Sequence, residues 1–260
     1  MEKRSMFDLS GQVAVVTGAS QGLGATFAKA YAEYGADVAL LARNEAKLQK
    51  VAEEVRAYGR RALVVACDVT SEESIKNAVE KVLAEFGKVD ILCNNAGIAK
   101  WGCVHSMELE EWNQVMNTNL TGTMLMCKYV LPGMMERRYG RIVNISSINA
   151  WMMIKSERAS RPAYNASKAG LNGLTNSIAA TDGKYNITAN AIGPCWMKTD
   201  MTEQIYADER FMHEFVYKRS PMNRAGEEDE LNSTLIYLSS PASGYITGQF
   251  IVGDGGFGLV

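Results

Sequence analysis

Apolar residues fall along this chain in short runs, separated by longer stretches of helical periodicity. VAVVTG (13–18), DVALLA (37–42), RALVVACD (61–68) and VDILCNNAG (89–97) are nearly continuous in Val, Ile, Leu and Ala. Between them, 22–35, 45–59 and 71–87 repeat their apolar positions every three to four residues. The second half continues the alternation: a helical region at 108–137, a strand at 141–146, a helix at 163–182 and a strand at 187–192. A Met-rich, charged segment (197–224), a helix (227–239) and a last strand (248–256) follow. Strands without polar alternation must be covered on both faces, which is the mark of a parallel sheet between helix layers. The pattern predicts a doubly wound, Rossmann-type α/β fold of about seven strands. No linker, repeat or low-complexity tract interrupts it, so a single domain over 1–260 is expected.

Composition narrows the function. Of 260 residues, 47% are hydrophobic and 22% charged, as in an ordinary globular protein. A net charge of −2 without like-charge blocks argues against nucleic acid as a partner. Five dispersed cysteines suit reduced thiols, the start lacks an apolar leader core, and no run reaches membrane-spanning length. The expectation is a cytoplasmic protein that meets no membrane. His105 and His213 form no metal-ligand pattern with the cysteines, so no metal is expected.

The first strand runs into Gly18-Ala19-Ser20-Gln21-Gly22-Leu23-Gly24, which opens a helix. Glycines there allow a tight turn and close backbone approach to a pyrophosphate, while the helix N-terminus offers free N–H groups. An acidic residue ending the second strand would bond a ribose 2′-hydroxyl. This strand ends Leu41-Ala42-Arg43-Asn44 instead, and the Arg43 guanidinium suits a 2′-phosphate. NADP(H) is expected, with NAD(H) the alternative.

Tyr164 and Lys168 stand four apart, on one face of a helix. An ammonium beside a phenol lowers its pKa and makes it usable for proton transfer. Alone, such a pair is equally well explained by a surface contact; its weight comes from combination. TGASQGLG (17–24), CDV (67–69), NNAG (94–97), Asn119 in MNTNLTG, NISS (144–147), YNASK (164–168), GPCWMKT (193–199) and GDGG (253–256) occur in one order. In this the chain resembles the short-chain dehydrogenase/reductase family over essentially its whole length, and within it the gluconate 5-dehydrogenase-like members.

The resemblance implies an oxidoreductase that interconverts a secondary alcohol and a ketone. It makes Tyr164 the proton-transferring residue, Lys168 the partner that bonds the nicotinamide ribose and lowers the Tyr164 pKa, and Ser147 a bond to the substrate oxygen. Asn119 would hold a relay water. Gly18, Ser20, Gln21, Gly22, Leu23, Gly24, Arg43, Asp68, Val69, Asn94, Asn95, Ala96, Gly97, Pro194 and Thr199 would line the cofactor cleft. The resemblance also implies a homotetramer or homodimer, with helices 108–137 and 163–182 forming the tetramer contacts.

The chain departs from the family pattern in two places. Ser147 and Tyr164 are 17 positions apart, about four more than the family leads one to expect, which lengthens the loop at 148–162. Cys195 replaces the usual Gly after Pro194. Variable substrate loops are expected at 148–162 and 195–224. Trp101, Asn149, Trp151, Met153, Trp196 and Met201 are the candidate substrate contacts. Their apolar bulk suits a hydroxysteroid or bile acid. A sugar acid, a polyol or a 3-oxoacyl thioester is the alternative. Lys155, Arg158 and Arg161 could meet a substrate carboxylate, or could simply be solvated. A non-catalytic NADP(H)-binding regulator is the remote rival, because it would tolerate loss of the four catalytic residue types, all of which are present.

Overall fold

The computed structural model describes residues 5–153, 155, 157, 160–199 and 206–259. Seven strands form one parallel sheet: β1 (Val13–Thr17), β2 (Asp37–Ala42), β3 (Ala62–Ala66), β4 (Ile91–Asn94), β5 (Gly140–Ile145), β6 (Ile187–Pro194) and β7 (Phe250–Gly253). Their spatial order is β3-β2-β1-β4-β5-β6-β7. The chain winds outward from β1 to β3, then crosses back to place β4 on the other side of β1. Ligands bind such sheets in the crevice at this reversal, outside the carboxyl ends of the strands.

Every residue of β1, β4, β5 and β6 is buried, as the absence of polar alternation requires. The two faces of β1 lead to two cores. Ala14 and Val16 join Phe27 and Tyr31 of helix α1 (Gly22–Glu33), Leu48 and Val51 of α2 (Glu45–Ala57), and Leu235 of α7 (Asn232–Ser239). Val15 faces the other way, toward Ile75 and Val79 of α3 (Glu72–Phe86), Met126 and Val130 of α5 (Gly122–Arg137), and Ile178 of α6 (Pro162–Asp182). A third cluster, Ile148, Trp196, Met212, Val216, Ala225 and Phe257, packs separately from the two sheet cores.

Two predicted helices are shorter or more broken than their periodicity suggested. The region 108–137 divides into α4 (Leu109–Met116), a π-helical turn at Asn117–Thr121, and α5. Thr118 and Thr123 each donate a hydroxyl hydrogen bond to the carbonyl four residues back, at 2.8 and 3.1 Å. The Asn119 amide turns away from the helix to bond the loop after β4, and a π-turn gives it room to do so. The helix expected at 227–239 is regular only from Asn232, since Glu227 and Glu230 are engaged in a turn with Arg224.

Candidate active site

A cleft of about 760 Å³ opens over the reversal between β1 and β4. Its first wall is the turn from β1 into α1. Gly18 has φ +66°, and a Cβ there would lie 2.9 Å from Ala96 Cα. A Cβ on Gly24 would collide with the Gly18 carbonyl oxygen. The turn therefore closes only with glycine at these two positions. Gln21 caps α1 without a side-chain bond, and no acidic residue occupies the first turn. The first-turn N–H groups and the positive end of the helix are thus available to an anion. That is the donor set a dinucleotide pyrophosphate needs, so the residues fit such a cofactor.

The neighbouring positions agree with this fit. Gly18, Ser20, Gln21, Gly22, Leu23, Gly24, Arg43, Asp68, Val69, Asn95, Ala96, Gly97, Pro194 and Thr199 all line the cleft. Arg43 is exposed at the end of β2 beside Asn44 and Lys47. Lys47 reaches the phosphate turn and donates to Gln21 Oε1 at 2.6 Å. Its cue in the sequence was a cation in the first turn of α2, where the helix dipole disfavours one. Asp68 accepts from the Thr70 N–H and hydroxyl, which holds its carboxyl below the usual range. Asn94 lies elsewhere. It is buried in the sheet, where its amide donates to Asn144 Oδ1 at 2.9 Å, and it does not reach the cleft.

Tyr164 and Lys168 project from the first turns of α6. Lys168 is buried and donates to the Ile145 carbonyl at 2.6 Å, and burial pulls its amine down to about 8. The Tyr164 side chain keeps partial access to the cleft, but protein surrounds the hydroxyl, and this desolvation raises its pKa. The Ser147 hydroxyl and the Arg161 guanidinium oppose that rise without cancelling it. Lys168, whose ammonium nitrogen lies 5.6 Å from the Tyr164 ring centroid, does not set the direction of this shift; burial of the hydroxyl does. Ser147 is buried at the end of β5 and lines the cleft beside Tyr164. Its neighbour Ser146 donates instead to the Lys168 carbonyl.

Asn119 does not line the cleft. Its Oδ1 accepts from the Ile98 N–H at 2.8 Å, and its Nδ2 donates to the Ile98 carbonyl at 2.9 Å and to Ser167 Oγ at 3.0 Å. These bonds pin the loop after β4 against α6 and set the position of Gly97.

The substrate end differs most from expectation. Asn149 and Trp196 line the cleft. Trp101, Trp151 and Met153 do not; they are 47%, 55% and 53% exposed. Trp101 lies under the Arg161 guanidinium, Trp151 rests on Gly258, and the Met153 sulfur accepts from the Asn165 amide. Met201 and Arg158 lie outside the described residues. Lys155 is exposed, whereas Arg161 turns inward and lines the cleft with Met152 and Phe257. Periodicity cannot find these residues, because they come from irregular segments folded over the strand ends.

A parallel sheet with a glycine phosphate turn at its reversal, and a tyrosine, lysine and serine on the opposite wall, defines a Rossmann-type dinucleotide oxidoreductase. The family model described as enoyl-(acyl carrier protein) reductase matches residues 18–258. Over 256 residues the chain is 35% identical to gluconate 5-dehydrogenase of Gluconobacter oxydans, covering 98% of each protein. It is 37% identical over 253 residues to the 3-oxoacyl-(acyl-carrier-protein) reductase FabG of Vibrio cholerae, covering 97% of this chain and 100% of that one. A crystal structure of a gluconate 5-dehydrogenase from Burkholderia cenocepacia, in complex with NADP and tartrate, superposes with a TM-score of 0.92 at 32% identity, covering 98% of both chains. The chain belongs to the short-chain dehydrogenase/reductase family, and it is an NAD(P)-dependent oxidoreductase acting on CH–OH groups.

Proposed function

We propose that this protein interconverts a secondary alcohol and a ketone with NADP(H), using Tyr164 as general acid and base. The observation that carries the reading is the common wall formed by Ser147, Tyr164 and Lys168, opposite the phosphate turn in one continuous cleft. When bound, the nicotinamide supplies or accepts the hydride. Ser147 orients the substrate oxygen, Tyr164 gives it a proton in reduction, and Lys168 holds the nicotinamide ribose. Asn119 acts from behind by fixing Ile98. Arg43, with Asn44 and Lys47 beside it, favours a 2′-phosphate, and the relative crystallised with NADP supports the same choice. The loops at 148–162 and 195–224 of one domain shape the substrate end.

Among substrates, a sugar acid or another small hydroxy or oxo acid is favoured over a hydroxysteroid. The steroid expectation rested on apolar bulk, but Trp101, Trp151 and Met153 stay outside the cleft, while Asn149 and Arg161 stand in it. Relatives named for gluconate oxidation and for 3-oxoacyl reduction both act on a hydroxyl or carbonyl carbon in an acid-derived chain. The test follows absorbance of the reduced nicotinamide during oxidation of gluconate, 3-hydroxybutyrate and hydroxysteroids with NADP⁺. Turnover is expected in the wild type and a loss of about 10²–10⁴-fold in Tyr164→Phe. Full activity in that variant would refute the catalytic assignment.

A further inference from the structure

The long loop before Tyr164 ends at Arg161, and the surroundings of this residue are unusual for a surface arginine. Its guanidinium carbon lies 4.4 Å from the Trp101 ring centroid and 5.3 Å from that of Tyr164, so the cation is held between two aromatic rings. One terminal nitrogen donates to Asn149 Oδ1 at 3.1 Å. Nε is buried with no hydrogen-bond partner. Among the described residues no carboxylate pairs with Arg161. Asp254, which does not line the cleft, spends both oxygens on the N–H groups of Gly256 and Gly258. The Arg161 side chain nevertheless lines the same cleft as Ser147, Asn149 and Tyr164.

An arginine stays charged at any pH at which the protein is folded, and taking it partly out of water costs free energy unless an anion or hydrogen bonds replace the lost hydration. Asn149 replaces only part. The remaining N–H groups form a planar fork suited to a carboxylate. The cation shares Tyr164 as a neighbour with the reacting carbon, so one small molecule can reach both groups.

We propose that Arg161 is the specificity-determining residue of this site and selects alcohols and ketones that carry a carboxylate a few carbons from the reacting carbon. This rests on the alcohol–ketone reading above and names its substrate class. Trp101, expected to touch substrate, acts instead as the platform that keeps the guanidinium in place. Asn149 fixes its rotation, and the Gly102 N–H bond to the Ser160 carbonyl, 3.0 Å, ties the two loops that carry the stack.

The test compares acids with their uncharged amides: gluconate with gluconamide, and 3-hydroxybutyrate with 3-hydroxybutyramide, each with NADP⁺. The wild type is expected to favour the acid of the better pair by about 10-fold or more in kcat/KM, as one charge-assisted bond in a partly desolvated site implies. Arg161→Gln is expected to bring that ratio close to one, with activity on the acid falling at least about 10-fold further than activity on the amide, while Arg161→Lys keeps part of the preference. Binding is read without turnover, from the melting temperature of the NADPH-loaded protein, which cannot oxidise these alcohols. Carboxylates should raise it, amides should not, and Arg161→Gln should abolish the rise. An amide preference in the wild type, an acid-to-amide ratio unchanged in Arg161→Gln, or no melting shift with any carboxylate would overturn the proposal. If Arg161→Gln lost activity on acids and amides equally while Arg161→Lys rescued neither, the residue would be merely structural. Failure of the underlying reading has a different signature, namely turnover that survives Tyr164→Phe.

Discussion

Tyr164 and Lys168 occupy one face of one helix, and burial drives their titrations in opposite directions, the phenol up and the amine down. The raised Tyr164 pKa keeps its proton in place through the neutral range, which suits the acid in ketone reduction. Alcohol oxidation needs the phenolate, so its rate should climb with pH into the alkaline range while reduction falls. Paired pH profiles of the two directions check this. Lys168 makes a separate prediction about stability. Below about pH 8 the folded and unfolded chains both carry the ammonium, and the folded chain bears the cost of burying it. Between about 8 and the 10.5 of an ordinary lysine, the folded chain has released a proton that the unfolded chain still holds. Stability from this group therefore rises with pH across that window, by about 3 kcal/mol at most. Urea unfolding near neutrality and near the top of the window should show this gain in the wild type relative to Lys168→Met, which lacks the amine. The variant is the necessary reference, because the buried Cys93 and Cys127 thiols and the half-buried Cys195 thiol, pushed up to about 12, shift stability in the opposite sense.

At the scale of elements, the turn from β1 into α1 tolerates no side chain at Gly24, because its Cβ would strike the Gly18 carbonyl. Gly24→Ala is expected to weaken NADPH binding by at least about 10-fold and to lower the melting temperature, as close-packed backbone cannot yield cheaply. Gly183 is the matched contrast. It is exposed, adopts φ −53° and ψ −33°, and has nothing within 4 Å of an added Cβ. Gly183→Ala should leave binding unchanged and stabilise by about 0.4–1 kcal/mol by restricting the unfolded chain. Equilibrium quenching of protein fluorescence by NADPH, with denaturant unfolding of each variant, reads both outcomes.

For the molecule as a whole, cofactor binding is coupled to folding by mass action. At about 100 times its dissociation constant NADPH should add about 2.7 kcal/mol of stability. The melting temperature should rise more with NADPH than with NADH at equal concentration, and Arg43→Asp should reverse that order, since a carboxylate there repels the 2′-phosphate and accepts from a 2′-hydroxyl. An unchanged order in Arg43→Asp would show that Asn44 and Lys47 carry the choice. The assembly expected from the family uses α4, α5 and α6, where Met124 is left exposed. Light scattering should give a mass several times that of one chain.

The alternation of apolar runs and amphipathic stretches determined the parallel sheet and its two helix layers, because burial on both faces leaves a local mark in every strand. The motifs determined the family and the cofactor end of the cleft. Phosphate binding there uses backbone geometry that only glycine at Gly18 and Gly24 permits, and such a constraint is written at fixed positions. Three things were decided only by tertiary structure. One was the direction of the Tyr164 shift, since desolvation depends on everything packed around the hydroxyl and not on the residue four places along. Another was the break in the 108–137 helix, set by the partners Asn119 finds in Ile98 and Ser167. The last was the substrate end, where irregular loops turned Trp151 and Met153 outward and Arg161 inward. Whether a loop side chain points to a ligand or to water is a competition among contacts distant in sequence, and local pattern carries no record of it.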